Sequence, residues 1–344
     1  MPIIYAFERQ FVCMINKHTK SPCCGAETWR FGKRRRQCIQ CRKTWRIRKK
    51  KRGRKQVRGS QKLLQDILYK KETIKHRAAR GRSSFWRCWL RYHKQLDKEL
   101  KLKSVKKMPP GKVILVVDGL WINFKSGRWV IYLIAVRNIN SHKATILEPF
   151  FLPGAETSAK WECLFQRLHP RLSKRVVALV CDGITGMRNN AIRNGWAFQR
   201  CHFHFINVIE RFRGRVNKNI RLKEFREDYF QSIKAALYVK SPKQYQELIE
   251  HIKMMIQNPD CPKWLRRYGN EFIRHKEEFR TYLKYPEYNL PTTTSAMEKY
   301  CGTLRELLNR SHGFKTIESM KKWIILYARK NYEITCNGKI INQY

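Results

Sequence analysis

The sequence predicts an α/β fold: a mixed sheet flanked by helices, with an all-helical insertion late in the chain and two small modules ahead of it. Two apolar runs of strand length, Val113 to Val117 and Val176 to Cys181, are each followed by an aspartate and a glycine. Between and after these runs, strand and helix patterns alternate, which is the order that builds a sheet covered by helices. Residues 205–284 differ: they are helical in pattern throughout, rich in charged and aromatic side chains, and carry no strand signal.

Composition narrows the chemistry. Apolar residues make up 42% of the 344, enough for a real core. The 74 Lys and Arg against 26 Asp and Glu give a net charge of +48. Such a chain repels itself unless a polyanion neutralises it. Nucleic acid is the natural partner, because each phosphate contacted also releases a condensed counterion. No run of about 18 apolar residues is present to span a membrane. Met1 to Cys13 is mixed in character rather than basic and then apolar, so no secretory leader is expected. The expected location is the cytoplasm, with the nucleoid, and the twelve cysteines are then thiols or metal ligands rather than disulfides.

From the N-terminal side, residues 13–48 alternate cysteines, glycines and basic residues, as a small metal-stapled module would. Residues 49–59 form a basic arm; from Lys33 to Arg58 there are fifteen Lys or Arg and no acid. Over residues 60–105, Leu63, Leu64, Ile67 and Leu68 keep helical spacing, and Ile74, Ala78 and Ala79 mark a second short helix. Gly81 breaks that pattern, and Ser83 is placed to cap a third helix carrying Phe85, Trp86, Trp89 and Tyr92. Two short helices, a glycine turn and a third helix make a helix-turn-helix pattern, with Trp86 and Trp89 expected in its core. Pro109-Pro110-Gly111 marks a boundary.

The sheet region follows over residues 111–204. Strands are expected at Val113 to Val117, ending at Asp118, then at Trp129 to Val136 and Ala144 to Phe151. A helix from about Ala155 to Leu168 precedes the strand Val176 to Cys181, which delivers Asp182. Met187 to Asn194 reads as helix and Ala197 to Phe203 as a short strand. After the helical stretch 205–284, residues 285–332 carry two last helices, about Thr294 to Leu308 and Ile317 to Tyr332.

Functional groups in α/β sheets collect at the carboxyl ends of strands. Asp118 and Asp182 both stand there, and two carboxylates so placed repel each other unless a divalent cation lies between them. A third carboxylate is expected from a later helix. Glu298 lies in Thr292-Thr293-Thr294-Ser295-Ala296-Met297-Glu298, where a Thr or Ser can cap the helix that presents it. Arg305, Arg310, His312 and Gly313-Phe314 follow within a few turns.

On these residues the chain resembles the Mutator-like superfamily of cut-and-paste transposases and their bacterial insertion-sequence relatives, over roughly residues 20–330. The most specific piece is Cys201-His202-Phe203-His204: the family places a Cys-x-x-His pair after the strand that follows its second Asp. Asp182-Gly183 upstream fits the same pattern, as do Thr294 to Glu298 and Arg310 to Phe314 downstream. The resemblance implies a ribonuclease H-like core with an Asp, Asp, Glu triad, here Asp118, Asp182 and Glu298. It makes 205–284 the family's all-α insertion and gives Cys201, His204, Arg310 and His312 supporting roles. The function it implies is binding of an element's ends as double-stranded DNA, by a homo-oligomer, followed by strand cleavage and strand transfer. Two Mg²⁺ or Mn²⁺ ions held by the triad would activate water and stabilise the leaving 3′ oxygen.

The N-terminal module has one clear half-site. Cys38-Ile39-Gln40-Cys41 has the Cys-x-x-Cys spacing of a zinc-ribbon knuckle. The partner knuckle reads Ser21-Pro22-Cys23-Cys24-Gly25, with Ser21 where a first cysteine is usual. Zinc is expected on Cys24, Cys38 and Cys41, with His18 as fourth ligand and Cys23 or Cys13 as alternatives. Ribbon, arm and helix-turn-helix in series resemble the DNA-end-binding region of insertion-sequence transposases. Lys49, Lys50, Lys51, Arg52, Arg54 and Lys55 in the arm, with Arg82, Arg87 and Arg91 around the third helix, are the expected DNA contacts. Two rivals remain: a DNA-binding regulator or domesticated transposase that does not cut, and another ribonuclease H-like nuclease such as a junction resolvase or hybrid hydrolase.

Overall fold

A computed structural model of the protein describes residues 15–31, 35–46, 56–69, 73–80, 84–102, 108–124, 127–213, 222–310, 314 and 316–336. Cys13, the arm residues Lys49 to Lys55, Arg82 and His312 lie outside the described residues, and the side chains of His18 and Arg310 lie outside the described side chains. The chain divides into two units, Met1–Lys62 and Leu63–Tyr344.

The first unit contains a four-stranded antiparallel sheet of β1 (Ile15–Lys20), β2 (Glu27–Arg30), β3 (Arg35–Cys38) and β4 (Thr44–Arg46), in that spatial order. Two tight turns shape it. Gly25 (φ +68°) donates its N–H to the Ser21 carbonyl, and Arg42 (φ +54°) donates to that of Cys38. Among the described residues of this unit only Ser21, Thr28 and Cys38 are buried. A sheet this small, with no apolar core, needs a cross-link to stand.

Helix α1 (Gln56–Tyr69) enters the second unit, followed by α2 (Ile74–Arg80) and α3 (Phe85–Lys101). Ser84, not Ser83, caps α3, its hydroxyl accepting from the Arg87 N–H at 3.3 Å. The buried face of α3 is Cys88, Tyr92, Gln95 and Leu96. Trp86 falls on the other face and is 66% exposed, which corrects its expected place in the core.

A seven-stranded sheet organises the rest: β5 (Val113–Phe124), β6 (Gly127–Asn138), β7 (Lys143–Ile146), β8 (Phe150–Pro153), β9 (Val176–Cys181), β10 (Ala197–Arg200) and β11 (Glu333–Thr335). Its order is β10-β9-β5-β6-β7-β11, with β8 paired to the near end of β6. β10 and β9 run parallel to β5, while β6, β7, β8 and β11 pair antiparallel. The strand expected over Ala144 to Phe151 is broken in two: β7 pairs with Ala135–Arg137 and β8 with Trp129–Tyr132. Pro149 lies in the break, where a ladder N–H would be needed. β5 does not stop at Asp118 either. It continues against β6 to Phe124, although its pairing with β9 ends at Val116.

Alternation along β5 separates two cores. Val113, Leu115 and Val117 face α4 (Ser158–Gln166), α5 (Pro170–Ser173) and α6 (Met187–Arg193), with Trp161 fully buried among them. Ile114, Val116 and Leu120 face α12 (Ser295–Arg310) and α13 (Ile317–Lys330). Strand periodicity therefore points Asp118, between Val116 and Leu120, at the helix that carries Glu298.

The helical stretch has a core of its own. α7 (His202–Glu210), α8 (Lys223–Tyr238), α9 (Pro242–Gln257) and α10 (Lys263–Phe279) enclose Phe205, Tyr229, Ile233, Ile252, Phe272 and Phe279. A short α11 (Thr281–Lys284) and a 3₁₀ turn at Pro286–Tyr288 return the chain towards α12. α7 begins at His202, inside the stretch expected as strand to Phe203, because Cys-His-Phe-His-Phe-Ile alternates like a strand yet forms the first turns of a helix.

Candidate active site and thiol cluster

Asp118 and Asp182 stand at the same end of the sheet, where β9 leaves β5. Asp118 is 9% exposed, and both its oxygens are engaged. The Gly119 N–H donates to Oδ1 at 2.9 Å, and the Cys301 thiol, one turn past Glu298 on α12, donates to Oδ2 at 3.4 Å. Asp182 follows β9 directly, and its Oδ1 accepts from the Ile184 N–H at 3.3 Å.

Two helix starts supply the rest. Cys201 precedes α7, and its sulfur accepts from the Thr294 N–H at 3.2 Å and shares a hydrogen bond with the Thr294 hydroxyl at 3.3 Å. The backbone N–H of His202 also donates to the Thr292 carbonyl at 2.8 Å. These bonds tie the start of α7 to the segment entering α12. Three residues after Cys201, His204 shares its Nδ1 with the Thr294 hydroxyl at 3.3 Å, and its Nε2 pairs with Glu298 Oε1. Glu298 sits four residues past Thr294, so Thr294 and Glu298 share one face of α12. The Cys-x-x-His spacing thus has a geometric use: the cysteine holds the approach to α12 and the histidine meets the glutamate.

Ligand atoms of Asp118, His204 and Glu298 all lie within 4.8 Å of one another. Burial, then the Glu298 charge, pushes the Asp118 carboxyl up to about 7, with His204 and the Cys301 thiol opposing. Burial also raises Asp182, against the pull of His204. His204 loses solvation by burial, but its bonds to Cys201 and Glu298 outweigh that loss and push it up to about 11. The same bond to His204 lowers Glu298. A buried and a half-buried carboxylate held above their usual range beside a third are short of positive charge, and their oxygen donors suit Mg²⁺ or Mn²⁺.

Residues 113–330 match the sequence profile described as "Transposase, Mutator family". The chain belongs to that family. No curated protein sequence matches it. Among solved structures it is similar to the Drosophila P element transposase strand transfer complex, at 11% identity and a TM-score of 0.42, over 79% of this chain and 92% of that one. A fainter likeness is to the crystal structure of NurA, at 13% identity and a TM-score of 0.13, covering 81% of this chain and 62% of that one.

Two polar residues of this Mutator-family chain escape a reading of its motifs. Glu156, in the loop before α4, accepts from the indole N–H groups of Trp121 at 2.9 Å and Trp161 at 2.8 Å, and it feels the charges of Asp182 and His204. A Cβ at Gly119 would fall on the Glu156 carboxylate, so the glycine makes the room. A glycine inside a strand is a signal of close approach, and Gly119 carries it. Arg200, at the end of β10, is 8% exposed and pairs with Glu271 on α10 while lying against Gly183. Gly183 has φ +87°, and a Cβ there would meet the Arg200 side chain. Gly183→Ala is therefore expected to lower stability by about 1–3 kcal/mol, the usual cost of such backbone strain. A fall in the melting temperature by several degrees would register it.

In the first unit the described thiols gather as well. Cys23, Cys24, Cys38 and Cys41 form a group with ligand atoms within 4.8 Å of one another. Their sulfurs approach at 3.0 Å (Cys23–Cys41), 3.2 Å (Cys24–Cys38), 3.9 Å (Cys23–Cys24) and 4.0 Å (Cys24–Cys41). Sulfurs around one zinc, at about 2.3 Å each, stand about 3.8 Å apart in a tetrahedron. Of the residues expected as a fourth ligand, Cys23 is the one described together with Cys24, Cys38 and Cys41, while Ser21 donates or accepts at 3.3 Å from Cys24 without joining the four. The Cys41 N–H, then Ser21, pulls Cys38 down to about 6, and the hydrogen bond with Cys23 pushes Cys41 up to about 12. Crowded thiols that cannot all ionise unaided are what a thiophilic cation relieves.

Of the expected DNA contacts, Arg87 and Arg91 are exposed on α3, with Arg91 donating back to the Arg87 carbonyl at 3.1 Å. No helix among the described residues is long and apolar enough to cross a membrane.

Proposed function

We propose that this chain binds the ends of an insertion element as double-stranded DNA and performs divalent-metal-dependent strand cleavage and strand transfer. Family membership sets the class of protein. The observation that carries the chemistry is the convergence of Asp118, Glu298 and His204 from β5, α12 and α7, with Asp182 in electrostatic reach at the end of β9.

In this reading the sheet is a ribonuclease H-like core. Its support is a run of antiparallel strands followed by β9 and β10, each added in parallel after a helix. Residues 205–284 are its insertion, and the first hundred residues are the end-binding region, with zinc on the four thiols and Arg87 and Arg91 facing DNA. A homo-oligomer on two element ends follows from the need to join both.

Asp118, Asp182 and Glu298 would hold the catalytic cations. Divalent ions there supply Lewis acidity for a reacting phosphate and lower the pKa of a bound water. The chain's own residues set the arrangement. Gly119 and Cys301 fix both oxygens of Asp118, so the carboxylate cannot turn away. Cys201 and Thr294 fix the entry to α12, and thereby Glu298. His204 holds a proton between Thr294 and Glu298 and offsets the surrounding negative charge. Its removal would leave Glu298 free to swing with solvent.

A Mn²⁺ titration followed by electron paramagnetic resonance tests the ligand assignment. Glu298→Gln should weaken binding at the carboxylate site by at least about 10-fold, the smaller end of what even outer-shell changes cause. Unchanged affinity would remove Glu298 from the ligand set.

A further inference from the structure

Beyond the carboxylates, one side chain near the site is both exposed and held still. Trp121 lies on β5 three residues past Asp118, about 10 Å along the strand at about 3.3 Å per residue and on the opposite face, the one that meets Glu156 and α4. It is 46% exposed. Exposed aromatic side chains ordinarily sample several rotamers, yet two contacts fix this one. Its indole N–H donates to Glu156 at 2.9 Å, and the Arg128 guanidinium of β6 lies 4.7 Å from its ring centroid. Glu156 is anchored in turn by Trp161, which is fully buried, and it reaches the strand only because Gly119 has no Cβ. A buried tryptophan, a glutamate and a glycine are arranged so that a second tryptophan faces solvent in one orientation.

We propose that Trp121, held by Glu156 and Arg128, is a stacking platform for an unpaired nucleobase of DNA that passes the end of the sheet beyond the catalytic carboxylates. The proposal rests on the DNA-cutting reading above and adds a base-contacting residue to it. An aromatic face accepts any base without regard to sequence, and an adjacent guanidinium suits the phosphate of the same nucleotide. Holding a base out of the duplex exposes the backbone next to it, and a ring already fixed in place loses little freedom on binding. Glu156 acts here as a positioning residue, through the indole it orients.

The test uses the full chain with no divalent cation added and no chelator, so that no strand is cut and the thiol site keeps its metal, and two fluorescent DNA probes of equal length. One is a blunt duplex; the other carries a short single-stranded flap with 2-aminopurine at the junction. Trp121→Ala should bind the flap probe about 10-fold more weakly, within the range a lost base–aromatic stack gives, and the blunt duplex within about 2-fold. Quenching of 2-aminopurine seen with the original chain should disappear. Trp121→Phe, which keeps a ring, should retain most of the flap affinity and the quenching. Equal losses on both probes, or none on either, would overturn the platform while leaving the catalytic reading intact. If the unaltered chain binds neither probe, the DNA reading falls and the platform with it.

Discussion

Asp118→Asn should abolish strand cleavage, by about 10³-fold or more, while DNA affinity stays within about 2-fold. The magnitude follows from losing several kcal/mol of charge stabilisation at a cation-dependent centre, with each ~1.4 kcal/mol worth tenfold in rate. The same substitution should leave the melting temperature of metal-free protein equal or higher. Burial holds the Asp118 carboxyl up at about 7, against an ordinary value near 3.8. An acid whose pKa is raised by folding destabilises the fold once pH exceeds its unfolded value, and that penalty grows until pH passes the folded value. Between about pH 4 and 7 the native chain should therefore lose stability from this group as pH rises, and the neutral amide should not. Activity lost without stability lost is the signature of a functional carboxylate; a parallel collapse of both would make Asp118 a structural residue. Cleavage and melting curves on one preparation distinguish the two.

Cys38→Ser should empty the N-terminal metal site and unfold the small sheet. Purified full-length chain, never exposed to chelator, should carry about one zinc, and the variant close to none. The effect is large because Ser21, Thr28 and Cys38 are the only buried residues described there, so little else holds the four strands. Loss of the sheet should appear as proteolytic sensitivity confined to the first sixty residues, while the catalytic unit keeps its own melting transition. Metal analysis that finds no zinc in the unaltered chain would leave the thiol group as free cysteines.

Much of the catalytic unit was legible because strand periodicity is simple. β9 occupies Val176–Cys181 as its apolar run indicates, and the last two helices fall within two residues of expectation. Asp118 and Asp182 were visible as acids in a chain with few of them, standing where apolar runs end, whereas Glu298 was reached through the cap pattern before it and the family-like segment around it. The misplacements have local causes. β5 extends beyond Asp118 because β6 continues to pair with it after β9 has left, a tertiary fact that no local pattern carries. The start of α7 read as strand because a short apolar stretch fits either period. Trp86 read as core on its chemistry alone, whereas the buried face of α3 is set by Cys88, Tyr92 and Leu96. Glu156 lies in a loop with no motif around it; only the glycine opposite it, at 119, hinted at a side chain arriving there.

Asp118, Asp182 and Glu298 are proposed to serve cation-dependent DNA cutting. The most direct measurement incubates purified protein with a supercoiled plasmid carrying the DNA that flanks its gene, with Mg²⁺, Mn²⁺ or EDTA, and maps strand breaks by sequencing. Breaks are expected at discrete positions in the flanking DNA with either cation, none in EDTA, and none with Asp118→Asn, Asp182→Asn or Glu298→Gln. A protein that binds this DNA tightly but breaks no strand with any divalent cation would contradict it and leave a DNA-binding regulator in its place.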